Sequence, residues 1–136
     1  MSDKKIKIVA IDDDEAILDV YETGLSGRGY EIKTFLDPKK GKEYLLCEDT
    51  DLPDVILMDI MMPGIDGISL MKDVHSNLRT THIPIIAVSG LNDVATLNDA
   101  LLFGAMDYLV KPFAIDSLET KIKKAWELNK KRSSEK

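Results

Sequence analysis

Acidic residues close two of the most apolar runs in the chain. Ile8-Val9-Ala10-Ile11 leads into Asp12-Asp13-Asp14-Glu15, and Val55-Ile56-Leu57-Met58 leads into Asp59. Each run reads as a strand buried on both faces. Two neighbouring strands with acidic ends would bring Asp12, Asp13 and Asp59 into one pocket. Carboxylates held that close repel, and one takes up a proton unless a cation lies between them. Three carboxylates without a nearby Cys or His suit a hard divalent ion, Mg²⁺ first and Mn²⁺ as the alternative. Two further strand ends add complementary groups. Ile85-Ile86-Ala87-Val88 ends in Ser89-Gly90, and Tyr108-Leu109-Val110 ends in Lys111. Acids to hold a cation, a hydroxyl donor and a fixed ammonium together suit an incoming phosphoryl group. One of the carboxylates could be the nucleophile, which would give an aspartyl phosphate.

For these groups to meet, the strands must run parallel with their C-terminal ends on one edge. The sequence supports that. Strands are expected over 5–11, 31–35, 55–59, 85–89 and 108–110, alternating with helices over 14–28, 38–48, 67–77, 93–103 and 115–129. Asp37-Pro38 supplies an N-cap and a first-turn proline, and Gly27 and Gly29 close the first helix. Five strand–helix units imply a parallel sheet with helices on both faces. The first, third and fourth strands are almost wholly aliphatic and belong at the centre. The second, Glu31-Ile32-Lys33-Thr34-Phe35, alternates polar and apolar and belongs at an edge. The expected order is therefore 2-1-3-4-5, with a ligand site at the strand ends beside the switch point.

At these residues the chain resembles the response-regulator receiver domains of two-component signalling, the chemotaxis receiver among them. The matching pieces are Asp12-Asp13, then Pro53-Asp54-Val55-Ile56-Leu57-Met58-Asp59, then Met62-Pro63-Gly64-Ile65-Asp66-Gly67. Pro84 to Gly90, Gly104-Ala105 and Tyr108-Leu109-Val110-Lys111-Pro112-Phe113 follow in register. The resemblance covers about 5–128. It implies a doubly wound, flavodoxin-like (βα)5 fold with a five-stranded parallel sheet. It implies Asp59 as phosphoacceptor, Asp13 as direct metal ligand, Asp12 as a ligand acting largely through water, and the Met61 backbone carbonyl as the third protein ligand. Lys111 matches the lysine that contacts the acceptor or its phosphate. Ser89 matches the hydroxyl that turns toward the phosphate, and Tyr108 the aromatic switch that swings inward with it. Phosphorylation then biases the face built from the fourth helix, fifth strand and fifth helix, which is also a candidate homodimer surface. The implied partners are a sensor histidine kinase or histidine phosphotransfer protein upstream and a protein target downstream. The implied chemistry is Mg²⁺-dependent self-phosphorylation with slow autodephosphorylation, without turnover as an enzyme.

Two expectations concern access to the site. On the first helix, Ile17, Val20, Tyr21 and Leu25 follow helical spacing and should face the sheet. Leu18 would then point outward near the acids. With the loop after Lys111, including Pro112, it would form the docking face for a histidine donor. Pro112 also reads as a device that orients the lysine, through a cis peptide as one form. Met61 and Leu91 each lie two residues past a site residue. Neither can hydrogen-bond an attacking water, so the phosphoaspartate should be long-lived.

Composition sets outer bounds. At 136 residues, 44% apolar and 31% charged, the chain fits one domain over 1–130, with 131–136 as a polar tail or linker remnant. A net charge of -6 argues against direct nucleic-acid binding. The chain has a single cysteine, Cys47, and neither a secretory signal nor a long apolar span. That points to the cytoplasm and away from membranes. Cys47 reads as a helix residue partly facing the core. His75 and His82 lack metal-ligand spacing and read as surface residues. Asp14 and Glu15 read as helix N-terminal acids before metal ligands. An aspartate-nucleophile phosphatase would use Asp12 and Asp14, but the second strand-end acid and the Tyr108–Phe113 run argue against it. A docking-only receiver that has lost phosphorylation is opposed by the intact residue set. No helix-turn-helix or enzymatic segment follows residue 130, so output is expected through protein contacts or from a longer regulator of which this is the receiver.

Overall fold

A computed structural model describes residues 5–62, 65–90 and 94–134. Five strands form one parallel sheet: β1 (Lys7–Ile11), β2 (Glu31–Phe35), β3 (Val55–Asp59), β4 (Ile85–Gly90) and β5 (Asp107–Lys111). The helices between and after them are α1 (Glu15–Ser26), α2 (Pro38–Leu46), α3 (Gly67–Ser76), α4 (Val94–Leu102) and α5 (Ile115–Ser134). The sheet order is 2-1-3-4-5 with every pairing parallel, as expected from the sequence. A two-residue antiparallel pair, Met61–Met62 with Ile65–Asp66, sits between β3 and α3. Pairs that short leave no periodicity to read from the sequence. Pro63, Gly64, Leu91 and Asp93, which earlier expectations used, lie outside the described residues.

Local chemistry explains the element boundaries. Asp14 and Asp37 cap α1 and α2 by accepting the backbone N–H of Ala16 and Lys39, both at 2.9 Å. Alternation along the strands then divides the core in two. On one face Val9, Ile11, Ile56, Met58 and Ile85 pack against Leu45, Leu70, Met71, Val74 and Ala100 of α2, α3 and α4. On the other, Ile8, Ala10, Leu57 and Val88 pack against Leu18, Tyr21 and Leu25 of α1 and Leu118 and Ile122 of α5. Burying one such aliphatic side chain contributes about 1.5–3 kcal/mol. The central strands are thus buried on both faces, and their C-terminal ends carry the acidic residues to one edge.

Three expectations need correction. Leu18 is buried, at 5% exposure, while Val20 is 46% exposed, so the expected rotation of α1 is wrong. Its apolar residues form two overlapping stripes at about 100° per residue, and Tyr21 and Leu25 belong to both. Contact with α5 selects between them. A Cβ on Gly24 would lie 2.6 Å from Ile115 Cδ1. That close approach turns Leu18 toward the core and Val20 outward. Cys47 is exposed at the C-cap of α2 and faces no core. The last helix continues to Ser134, past its expected end at residue 129.

Candidate functional site

Register assembles the site. Ile11 pairs with Met58, Asp59 with Val88, and Gly90 with Lys111. Asp12, Asp59, Ser89 and Lys111 therefore stand side by side at the C-terminal edge of the sheet. The ladder runs one residue past β1, because the Asp12 N–H donates to the Phe35 carbonyl at 3.2 Å. The Asp12 side chain is then committed twice. Its Oδ1 accepts the Asp14 N–H at 2.9 Å, and its Oδ2 lies 2.8 Å from Lys111 Nζ. That second contact is an ion pair by distance without the alignment of a hydrogen bond. Lys111 Nζ also reaches Asp59 Oδ2 at 3.3 Å. Just past Asp59, α3 begins against the backbone: a Cβ on Gly67 would lie 2.3 Å from Ile60 Cα. Only glycine fits there.

Oxygens of Asp12, Asp13 and Asp59 all lie within 4.8 Å of one another. Asp12 and Asp59 are buried and Asp13 is exposed. Asp14 stays outside this group as the α1 cap, with Glu15 in the first turn. Burial alone would push the Lys111 ammonium down, but Asp12 and Asp59 outweigh it and hold Lys111 above its ordinary value. One ammonium still cannot balance three carboxylates. The donors are all hard oxygens, two of them desolvated, with net negative charge left over. That set fits a small divalent cation, with Asp12, Asp13 and Asp59 as the side chains to hold it.

The other expected site residues take distinct places. Ser89 is buried, one residue past the Asp59 partner Val88. Met61 lies on the short strand that follows Asp59, so its carbonyl is two residues from the acceptor position. Pro112 is exposed and follows a cis peptide from Lys111. Tyr108 is apart from the acids. Its ring is 37% exposed, with Lys121 Nζ 5.1 Å from the ring centroid, and Lys121 is paired with Asp107 at 2.9 Å. Leu18 cannot serve as an exposed docking residue. The sequence reading also missed a neighbour of the site. Tyr21 stacks on Phe113, with centroids 5.9 Å apart and rings 11° from parallel. Helical spacing turned Tyr21 inward, but nothing in the sequence joins it to a residue so far along the chain.

A hollow of about 590 Å³ lies at the opposite end of the sheet. It is lined by His75, His82, Phe103, Met106 and Asn129 and holds none of this chemistry. Among the described residues no helix is long and apolar enough to cross a membrane.

A model of the response regulator receiver domain family matches residues 8–123. The chain belongs to that family. It is 38% identical over 119 residues to a Guillardia theta protein named "Probable transcriptional regulator ycf27", covering 88% of this chain and 44% of that one. It is 36% identical over 106 residues to the response regulator PleD of Caulobacter vibrioides, covering 78% of this chain and 23% of PleD. The chain thus spans less than half the length of these relatives. Among solved structures, a CheY-like receiver domain protein from Methanospirillum hungatei superposes with a TM-score of 0.80 at 27% identity. The match covers 95% of this chain and 99% of that one. A receiver domain protein from Clostridium thermocellum gives 0.81 at 28% identity, covering 91% and 96%. This receiver domain is therefore of the two-component signalling type in both sequence and fold.

Proposed function

We propose that this receiver domain takes a phosphoryl group onto Asp59 in a Mg²⁺-dependent reaction and acts as a signalling switch. The observation that carries the reading is the Lys111 ammonium, set between buried Asp12 and Asp59 and short of neutralising the three-carboxylate group. An Asp59 oxygen would attack the phosphorus of a phosphohistidine on a partner protein. The O–P bond forms as the P–N bond breaks, and the electron pair leaves with the imidazole, which takes a proton from solvent. Asp12, Asp13, Asp59 and the Met61 carbonyl would hold the cation, which when bound supplies charge neutralisation at the phosphoryl oxygens. Lys111 adds a second positive charge, and the Ser89 hydroxyl donates a hydrogen bond. On this reading the domain self-phosphorylates and slowly loses phosphate rather than turning over a substrate. The Tyr108 ring, outside the pocket, is free to report the change through α4, β5 and α5 to a downstream protein or to a second copy.

The test is intact-mass measurement after treatment with acetyl phosphate and Mg²⁺. One phosphate adduct is expected, lost in Asp59→Asn and lost on chelation. An adduct at parental yield in Asp59→Asn would overturn the reading.

The histidine donor, on a sensor kinase or phosphotransfer protein, is assigned to the surface shared by α1 and α5. Val20 is the exposed apolar residue there, beside a hollow lined with Asp19, Thr23, Gly24 and Ile115. It takes the place expected of Leu18. Val20→Lys should slow transfer from the cognate donor several-fold and leave acetyl-phosphate labelling at the parental rate. Equal rates from both donors would remove Val20 from the docking surface.

A further inference from the structure

Lys111 must keep its ammonium between two carboxylates, yet it lies at the last residue of an edge strand. Its backbone is paired on one side only, with Gly90. Something beyond the strand must fix the chain direction there. Two residues on, Phe113 packs into the core between α1 and α5, and its ring stacks on Tyr21. Between them stands Pro112, whose ring fixes φ and stiffens the link. Tyr21 is 1% exposed, so its ring is itself immobilised. A second contact, Ile115 against Gly24, seats the start of α5 on the same helix one turn further along. The N-terminus of α1 is tied to the acids in turn, since Asp12 accepts the N–H of the cap residue Asp14. The acids and the lysine are thus referenced to a single helix. Burial first, and then the charges of Asp12 and Asp59, push the Tyr21 hydroxyl above its ordinary value. The phenol therefore stays neutral within the field of the acidic pair.

We propose that Tyr21 is a positioning residue that, through its stack on Phe113, holds the Lys111 ammonium between Asp12 and Asp59. The proposal rests on the phosphoacceptor reading for its consequence in rate, while its structural content stands apart from that reading. The ring is the working part and the hydroxyl is not.

The first experiment is a double-mutant cycle on acetyl-phosphate labelling at saturating Mg²⁺. Tyr21→Leu should lower the maximal labelling rate about tenfold, as a displacement of part of an ångström at a reacting group would. Its half-saturating acetyl phosphate concentration should stay near the parental value, and Tyr21→Phe should label within about twofold of the parent. In a Lys111→Ala background, Tyr21→Leu should have almost no further effect. A parental rate in Tyr21→Leu, or the same tenfold loss with and without Lys111, overturns the proposal and leaves Tyr21 a core aromatic. Should Tyr21→Leu not fold, Phe113→Leu removes the stack from the other side and must give the same pattern. The second experiment needs no phosphodonor: the ¹⁵N signal of the Lys111 ammonium. It should move or broaden in Tyr21→Leu and stay in place in Tyr21→Phe; an unchanged signal in Tyr21→Leu overturns the proposal. If the parent takes no phosphate at all, the phosphoacceptor reading fails, and this signal still decides whether Tyr21 positions Lys111.

Discussion

Two ion clusters in this molecule are balanced in opposite ways. At the C-terminal edge of the sheet three carboxylates cluster, and two of them, Asp12 and Asp59, pair with one ammonium. At the foot of α1, the Glu119 carboxylate accepts from Arg28 at 2.8 Å and Tyr30 at 2.9 Å and pairs with Lys123 at 3.2 Å. Asp116 joins at 2.6 Å from Arg28. Two carboxylates there face two cations and a phenol. That second cluster is balanced: it joins the turn after α1 to α5. The first sets one ammonium between two buried carboxylates with a third, exposed one beside them, a surplus of acid that suits an incoming cation. The contrast between them lies in stoichiometry as well as in location.

The comparison can be broken by changing the count of charges. The largest effect is expected from Lys111→Ala, which removes the ammonium that lies between Asp12 and Asp59. Urea unfolding without metal should show a loss of about 3 kcal/mol, the scale for breaking a buried pair by removing one partner. Millimolar Mg²⁺ should restore most of it, because the ion occupies the charge deficit. Asp13→Asn should act in the reverse sense. It relieves repulsion, so metal-free stability should hold or rise by about 0.5 kcal/mol, and the stabilisation by Mg²⁺ should vanish. At the balanced cluster, Arg28→Ala should cost less than Lys111→Ala, and Mg²⁺ should not repair it. If Mg²⁺ rescues Arg28→Ala as well as Lys111→Ala, the distinction between the clusters is lost.

How far the sequence exposed these clusters follows from what each requires. The acidic edge was legible because strand ends are legible. An aliphatic run that stops at Asp12 or Asp59 names its own edge position, and a parallel sheet places all such ends together. The strand order followed from the polar alternation of β2. The Arg28–Glu119 cluster could not be read in that way. Its members come from the turn after α1 and from α5, far apart in the chain, with no pattern linking Arg28 to Glu119. The rotation of α1 failed for a related reason. Ile17, Leu18, Val20, Tyr21 and Leu25 allow two apolar stripes, and the choice is made by Ile115 fitting against Gly24, a contact outside the helix itself. Tyr21 was likewise placed inward without its stack on Phe113 being foreseeable. Local sequence reports which face is apolar, and tertiary contact decides where that face points.

The smallest expected effect sharpens the comparison from the balanced side. Hydrogen bonds from Arg28 and then Tyr30, with Lys123 adding to them, hold the Glu119 carboxyl down from 4.5 to about 2. A carboxyl lowered in the folded state gives stability that is fully present above its unfolded value, near 4.5, and is lost as pH falls through about 2. The window is therefore acidic, and the effect should be invisible at neutral pH. Glu119 is only 16% exposed, but Arg28 and Lys123 are 36% and 59% exposed, so added salt should weaken the ion-pair part. The Tyr30 hydrogen bond should survive the salt. The measurement is the stability of the parent minus that of Glu119→Gln, taken by urea unfolding from pH 6 to pH 2. The subtraction cancels the titration of every other acid that the two proteins share. The difference should be flat down to about pH 5 and then shrink steadily toward pH 2. A difference that stays constant over the whole range would mean that Glu119 titrates alike in the folded and unfolded chains. The foot of α1 would then be an ordinary solvated surface, and the contrast with the acidic edge would rest on that edge alone.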